Sequence, residues 1–128
     1  MVVMYALLRR NPELSHEEFV RHWREVHGPL IAGIPELARH IVRYEQHVRH
    51  RPDALSGNDD IDGVAVQWYE SIDAFAAFIA EPAYAEFVAP DERRFLDTDR
   101  IEFIVTDEPN VVIGGPGETG TGDTGAAG

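Results

Sequence analysis

The sequence predicts an α+β domain in which two helices lie on one face of a four-stranded antiparallel sheet, and three observations carry that expectation. Segments with strand chemistry and segments with helical periodicity follow in the order strand, helix, strand, strand, helix, strand, which is the ferredoxin-like βαββαβ unit. The strands carry large apolar side chains on both faces, with Met4 and Leu8 opposed to Val3, Tyr5 and Leu7, and Ile104 opposed to Ile101, Phe103 and Val105. The chain of 128 residues is long enough for one core and too short for two.

The first strand is expected over residues 2–9, where β-branched and aromatic residues dominate until Asn11-Pro12 imposes a turn. Ser15 and Glu18 have capping-box spacing, so a helix should begin at His16. With Phe19 at zero and about 100° per residue, Val20, Trp23, Val26 and Leu30 fall at about 100°, 40°, 340° and 20°, one apolar stripe. His27 and His16, at about 80° and 60°, lie on the buried side, and His22, at about 300°, lies on its margin. Gly28-Pro29 is expected to stop or kink this helix just after His27.

A second strand is expected over residues 39–48, with His40, Val42, Tyr44 and Gln46 on one face and Arg43, Glu45 and His47 on the other. Residues 51–62 have loop composition, and their aspartates lack the ligand spacing of a calcium loop. The third strand is expected over residues 63–70. Ser71 then caps a helix carrying Ile72, Phe75 and Ile79, and Pro82 opens a further helical stretch with Tyr84, Phe87 and Val88 as its inner side and Phe95 near its end. The fourth strand is expected over residues 100–107. Seven of the eleven glycines lie from residue 114 onward, a composition that cannot offset ordering entropy, so residues 114–128 are expected to be a disordered tail.

Composition removes several function classes. All eleven basic residues are arginine, against 23 acidic ones, and the formal charge of −12 repels phosphate backbones and anionic lipid, so neither nucleic acid nor a membrane is an expected partner. The absence of cysteine excludes disulfides, thiolate nucleophiles and sulfur-ligated metals. The N-terminal stretch lacks the layout of a signal peptide, and a cytoplasmic address is expected. Histidines at 16, 22 and 27 lack the i, i+4 pair of metal-binding helices, so no metal is expected. Neither a phosphate-binding glycine loop nor a Gly-x-Ser-x-Gly elbow is present.

A sheet with both faces apolar cannot leave one bare, because the exposed patch would be larger than monomers tolerate. Two copies are therefore expected to pack sheet to sheet as a homodimer, with a small-molecule cavity between the sheets.

"LSHEEFVRHWREVHGPL", "DGVAVQWYES" and "PDERRFLDTDRIEFIVTDE" together resemble the EthD-like branch of the dimeric α/β-barrel superfamily, over about residues 3–113. The carriers of the resemblance are a helix ending Trp-x-x-x-His-Gly-Pro, an Asp-Gly strand leading to Trp, and a late Asp-Glu-x-x-Phe. The resemblance implies a domain over residues 1–113, a homodimeric barrel and no metal, flavin or haem. It also implies cofactor-independent chemistry of the kind found in muconolactone isomerases, aromatic polyketide cyclases and fungal dehydratases. Two features depart from that pattern. Relatives often carry Tyr-x-Gln-x-His on the second strand, whereas here Tyr44 and Gln46 are followed by Val48, with the histidine at His47. An acid often precedes the tryptophan of the third strand, where Val66 and Gln67 stand here.

From residues and resemblance together, His27 is the expected proton carrier, because an imidazole titrating near neutrality can take a proton from an acidic carbon or a phenol. Its alternative role is to complement the helix dipole. Tyr44 is the second expected catalytic residue. With His40 and Gln46 it forms a polar cluster able to polarise a carbonyl. His47, Trp68 and Trp23 complete the expected substrate-binding set, although both tryptophans and Tyr5 also suit core filling. His16, His22 and His50 read as surface or capping residues, and Arg9, Arg39 and Arg43 could hold a carboxylate. The expected function is a cyclase, dehydratase or isomerase acting on a small aromatic or polyketide-derived compound. A cofactor-free monooxygenase and a non-catalytic small-molecule binder on the same scaffold are the alternatives.

Overall fold

The computed structural model describes residues 1–116. Its strands are β1 (Val2–Leu8), β2 (Arg43–Val48), β3 (Gly63–Tyr69) and β4 (Glu102–Asp107), joined in the order β2-β3-β1-β4 with every pair antiparallel. The central pair, β1 and β3, is the most apolar and is hydrogen-bonded on both sides, as the sheet requires of its middle strands. The helices are α1 (His16–His22), α2 (Gly28–Ala32), α3 (Pro35–Ala38), α4 (Ile72–Ala80) and α5 (Ala89–Phe95). They cover one face of the sheet, the side of Met4, Ala6 and Leu8 of β1, Ala65, Gln67 and Tyr69 of β3, and Tyr44 and Gln46 of β2. Phe19, Trp23, Leu37 and Phe95 are fully buried in that layer. The glycine-rich tail expected over residues 114–128 lies, from residue 117, outside the described residues.

The capping box forms as the spacing predicts: the Glu18 N–H donates to Ser15 Oγ at 3.0 Å and the Ser15 N–H to Glu18 Oε1 at 2.8 Å. The helix end does not. Instead of stopping after His27, the chain widens into a π turn over Trp23–His27, closed by the Gly28 N–H on the Trp23 carbonyl, and continues as α2. Gly28 is right-handed helical rather than left-handed. The wide turn precedes Pro29, whose ring would clash with the carbonyl four residues back in an unbroken α-helix. A second π turn, Tyr84–Val88, precedes Pro90 in the same way. Both turns shift the phase of the helix. Val26, expected in the apolar stripe, is 46% exposed, His27 is 5% exposed on the buried side as expected, and Phe87, expected inside, is 46% exposed beside a fully buried Val88.

Three further features differ from expectation. Strand β2 starts at Arg43, because α3 and a following turn occupy residues 35–40; His40 therefore lies off the strand and does not share a face with Tyr44. Residues 54–56 form a 3₁₀ turn, and the loop ends on Asp62, which is buried and accepts from the Arg10 N–H, the Arg10 guanidinium and His16. Ile72 and Ile79 of α4 are exposed at 53% and 49%, and Phe78 is the buried residue of that helix.

Gly63 shows how tightly the first helical segment meets the sheet. A Cβ there would stand 2.7 Å from the Trp23 indole and 2.9 Å from the His47 carbonyl oxygen, two groups that cannot yield. Gly63→Ala is expected to lower stability by about 1–3 kcal/mol through overpacking, read as a lower urea midpoint. An unchanged midpoint would contradict the packing described.

Candidate active site

The two π turns bring distant parts of the sequence together on the helix side of the sheet. His27, from the first, places Nδ1 2.8 Å from Asp91 Oδ2 at the start of α5, and His22 places Nε2 2.8 Å from Asp91 Oδ1. Asp91 is 2% exposed. Phe95, one turn further along α5, packs its ring against both imidazoles, with centroids 4.8 Å away in each case. Burial alone would raise the Asp91 carboxyl, but the hydrogen bonds and charge of His27 and His22 outweigh it and hold the group below its ordinary value. Burial pushes the His27 imidazole below its own ordinary value, against the pull of Asp91. At neutral pH the pair is a carboxylate beside a neutral imidazole. A carboxylate only accepts, so the proton sits on Nδ1 and the Nε2 lone pair is left, with no hydrogen-bond partner among the described residues.

Beside this cluster is a cavity of about 260 Å³ between the sheet and α2, α4 and α5. This cavity lies inside a single chain on the helix-covered face of the sheet, not on the face where the sequence places one between two copies. Most of its wall is apolar, including Met4, Ala6, Ile31, Phe75 and Phe78; its polar groups are Gln67, Tyr84 and Glu92. The Tyr84 hydroxyl donates to Glu92 Oε2 at 2.7 Å. Burial raises the Glu92 carboxyl above its ordinary value, with the neighbouring Asp91 charge adding to the effect, and burial likewise raises the Tyr84 phenol.

None of the site residues singled out from the sequence lines the cavity. Tyr44 is half-buried, and its oxygen accepts from the Trp23 indole at 3.2 Å and from the Gln46 amide at 3.4 Å. Burial raises its phenol, against those two hydrogen bonds. Gln46 also donates to the Trp23 carbonyl at 2.9 Å, so Tyr44 and Gln46 together clamp the turn that ends in His27. Trp23 is core. His40 bonds Glu81 at 2.6 Å. His47 and Trp68 lie on the other face of the sheet, where β2 pairs without a bulge, His47 bonds Glu45 at 2.8 Å and the Arg43 guanidinium covers the Trp68 ring. Arg9, Arg39 and Arg43 are each paired with a carboxylate, and His22 belongs to the Asp91 cluster rather than to the surface.

Sequence reasoning missed Asp91, Glu92, Tyr84 and Gln67. Gln67 was readable by parity, since it points the same way as Ala65 and Tyr69 on a central strand. The acids resemble any pair that complements the first turn of a helix, and only their partners distinguish them.

The EthD domain family profile matches residues 11–99 of the chain. The chain is a member of the EthD family. Its Trp-x-x-x-His-Gly-Pro and Asp-Glu-x-x-Phe segments are the two halves of the His27–Asp91–Phe95 cluster. Among curated proteins, the chain is 31% identical over 110 residues to the dehydratase aurZ of Gibberella zeae, covering 78% of this chain and 72% of the other. It is 28% identical over 105 residues to the dehydratase ustZ of Ustilaginoidea virens, covering 75% of each. A dehydratase of conidial pigment biosynthesis from Metarhizium robertsii is 28% identical over 101 residues, or 71% of this chain and 70% of the other. These homologues support a dehydratase-type function for this EthD protein. The fold matches an EthD family protein of Bacillus halodurans, with TM-score 0.62, 16% identity and coverage of 85% of this chain and 100% of the other. It also matches a dimeric ferredoxin-like protein of Bacteroides fragilis, with TM-score 0.62, 11% identity and coverage of 84% and 95%. No helix among the described residues is long and apolar enough to cross a membrane.

The state of His27 has a consequence for stability. Its folded value lies below the unfolded one of about 6.5, so the unfolded chain binds the extra proton first and stability falls as pH drops below about 6.5. His27→Gln, which cannot titrate, should flatten the dependence of the urea midpoint on pH between about 6.5 and 5. A slope as steep as that of the wild type would contradict a buried neutral imidazole.

Proposed function

We propose that this EthD protein is a cofactor-independent dehydratase that removes water from a small aromatic or polyketide-derived compound held in the helix-side cavity, with His27 as the proton carrier. The observation that carries the reading is the neutral His27, whose protonated Nδ1 is fixed by the buried carboxylate of Asp91 and whose Nε2 is uncommitted, with Glu92, the sequence neighbour of that Asp91, lining a largely apolar cavity. The dehydratase relatives support the same reaction class. Elimination of water begins with loss of a proton from a carbon made acidic by a neighbouring carbonyl, which needs a base that is unprotonated at neutral pH. His27 meets that requirement through burial, and Asp91 stabilises the imidazolium that forms. Tyr44 and Gln46 act as positioning residues, through their hold on Trp23 four residues before His27.

The assembly is proposed to be a homodimer. The uncovered sheet face presents Tyr5, Leu7, Val64 and Trp68, and Ile104 is 61% exposed on it. A bare face of this kind on a monomer is unfavourable, and a structural neighbour is described as dimeric.

Incubation with a panel of hydroxylated cyclic ketones, followed by mass spectrometry, should show loss of one water from at least one of them, without added metal or nucleotide. His27→Gln should lower that rate by about 10²–10⁴-fold, the usual contribution of a positioned base, while the cavity still binds ligand. Retention of the wild-type rate would remove His27 from the mechanism. In sedimentation, the protein should run at twice the 14.3 kDa chain mass.

A further inference from the structure

Asp91 and Glu92 are neighbours whose carboxylates serve different sites. Consecutive helical positions point about 100° apart, so Asp91 meets His27 and His22 while Glu92 lines the cavity beside Tyr84. From the sheet floor, Gln67 faces the same space. It is 6% exposed, and its carbonyl oxygen accepts the Tyr69 hydroxyl at 2.5 Å. Its amide nitrogen has no partner among the described residues, so a buried donor is left for a ligand to satisfy. Among the described residues, the ionisable groups that line the cavity are Tyr84 and Glu92, with no arginine or histidine. Nothing there would compensate a charged ligand. The volume, at the small end of ligand pockets of about 300 Å³ and upward, suits one or two rings.

From the placement of these groups around one apolar cavity, we infer that Glu92 is the acid that protonates the departing hydroxyl, that Gln67 holds the carbonyl oxygen, and that the substrate is an uncharged β-hydroxy ketone. The inference rests on the dehydratase reading above. The carbon next to the carbonyl loses its proton to the base, and the electron pair moves onto the carbonyl oxygen, where the Gln67 N–H group stabilises it. As that oxygen returns to a carbonyl, the carbon–carbon double bond forms and the carbon–oxygen bond breaks. The leaving oxygen takes the Glu92 proton and departs as water. The proton held by the base then restores Glu92 through water, and the enzyme is unchanged. The raised carboxyl of Glu92 favours the protonated form this step requires, and Tyr84 fixes its orientation.

The test uses 3-hydroxy-1-tetralone, which loses water to give fluorescent 1-naphthol, and 3-acetoxy-1-tetralone, whose acetate leaves without needing a proton. The wild type should accelerate naphthol release from both. Glu92→Gln should lose about 10²–10⁴-fold on the hydroxy ketone but no more than about tenfold on the acetoxy ketone, and should bind 1-tetralone as the wild type does. Gln67→Leu should weaken 1-tetralone binding about tenfold, the effect of one buried hydrogen bond. Equal losses of Glu92→Gln on both ketones, or none on either, would overturn the assignment of Glu92 while leaving the dehydratase reading intact. Failure of the wild type to accelerate water loss from the hydroxy ketone, though it binds 1-tetralone, would overturn the dehydratase reading itself.

Discussion

The buried carboxylate of Asp91, shared between His27 and His22, is the contact on which the rest of the arrangement depends. It ties the first helical segment to the last across a sequence separation of 64 residues, and both His27 and Asp91 are buried where it does so. A buried carboxylate is tolerated only when its hydrogen-bonding capacity is used, and here two imidazoles and the rim guanidinium of Arg94 use it. Removing one partner of such a pair typically costs about 3–5 kcal/mol, because the other is left buried and uncompensated. The same contact sets the chemistry of the imidazole. It fixes the tautomer, turns the ring against Phe95 and leaves Nε2 as a basic nitrogen in an apolar layer.

The two π turns make that contact possible. Each precedes a proline, Pro29 or Pro90, and each lets a long helical segment pass a residue that would otherwise end or kink it. The first widened turn ends on the buried His27, and α5, which follows the second, carries Asp91 to the imidazole and Glu92 to the cavity. Gly28 belongs to the same device. A Cβ there would meet the Gln46 amide at 2.9 Å, the group that holds the Trp23 carbonyl, so the glycine serves close packing and not a left-handed cap.

Much of the architecture was legible in the sequence because it rests on local signals of known period. The β-branched and aromatic composition of β1, the capping box at Ser15 and Glu18, and the cap at Ser71 predict elements that the structure contains. The opposite facing of His47 and Tyr44 followed from strand parity alone. What parity and a 100° wheel could not supply was the π phase shift, which turned Val26 and Phe87 outward, whereas His27 is buried as the wheel placed it. Nor could they supply the partners of Asp91 and Glu92, since contacts across 64 and 8 residues of chain leave no periodic trace. The site was half visible: its histidine by position, its acids only as part of a recurring pattern of residues.

The central claim is that His27 is a neutral imidazole protonated on Nδ1 and bound to an ionised Asp91. Nitrogen-15 NMR of the histidine side chains at pH 7.5 tests it directly, because the two ring nitrogens of each tautomer, and of the imidazolium, resonate at separate positions. The account predicts that His27 shows the Nδ1-protonated neutral form, and that this form is lost in Asp91→Asn. An imidazolium, or a ring protonated on Nε2 in the wild-type protein, would contradict it.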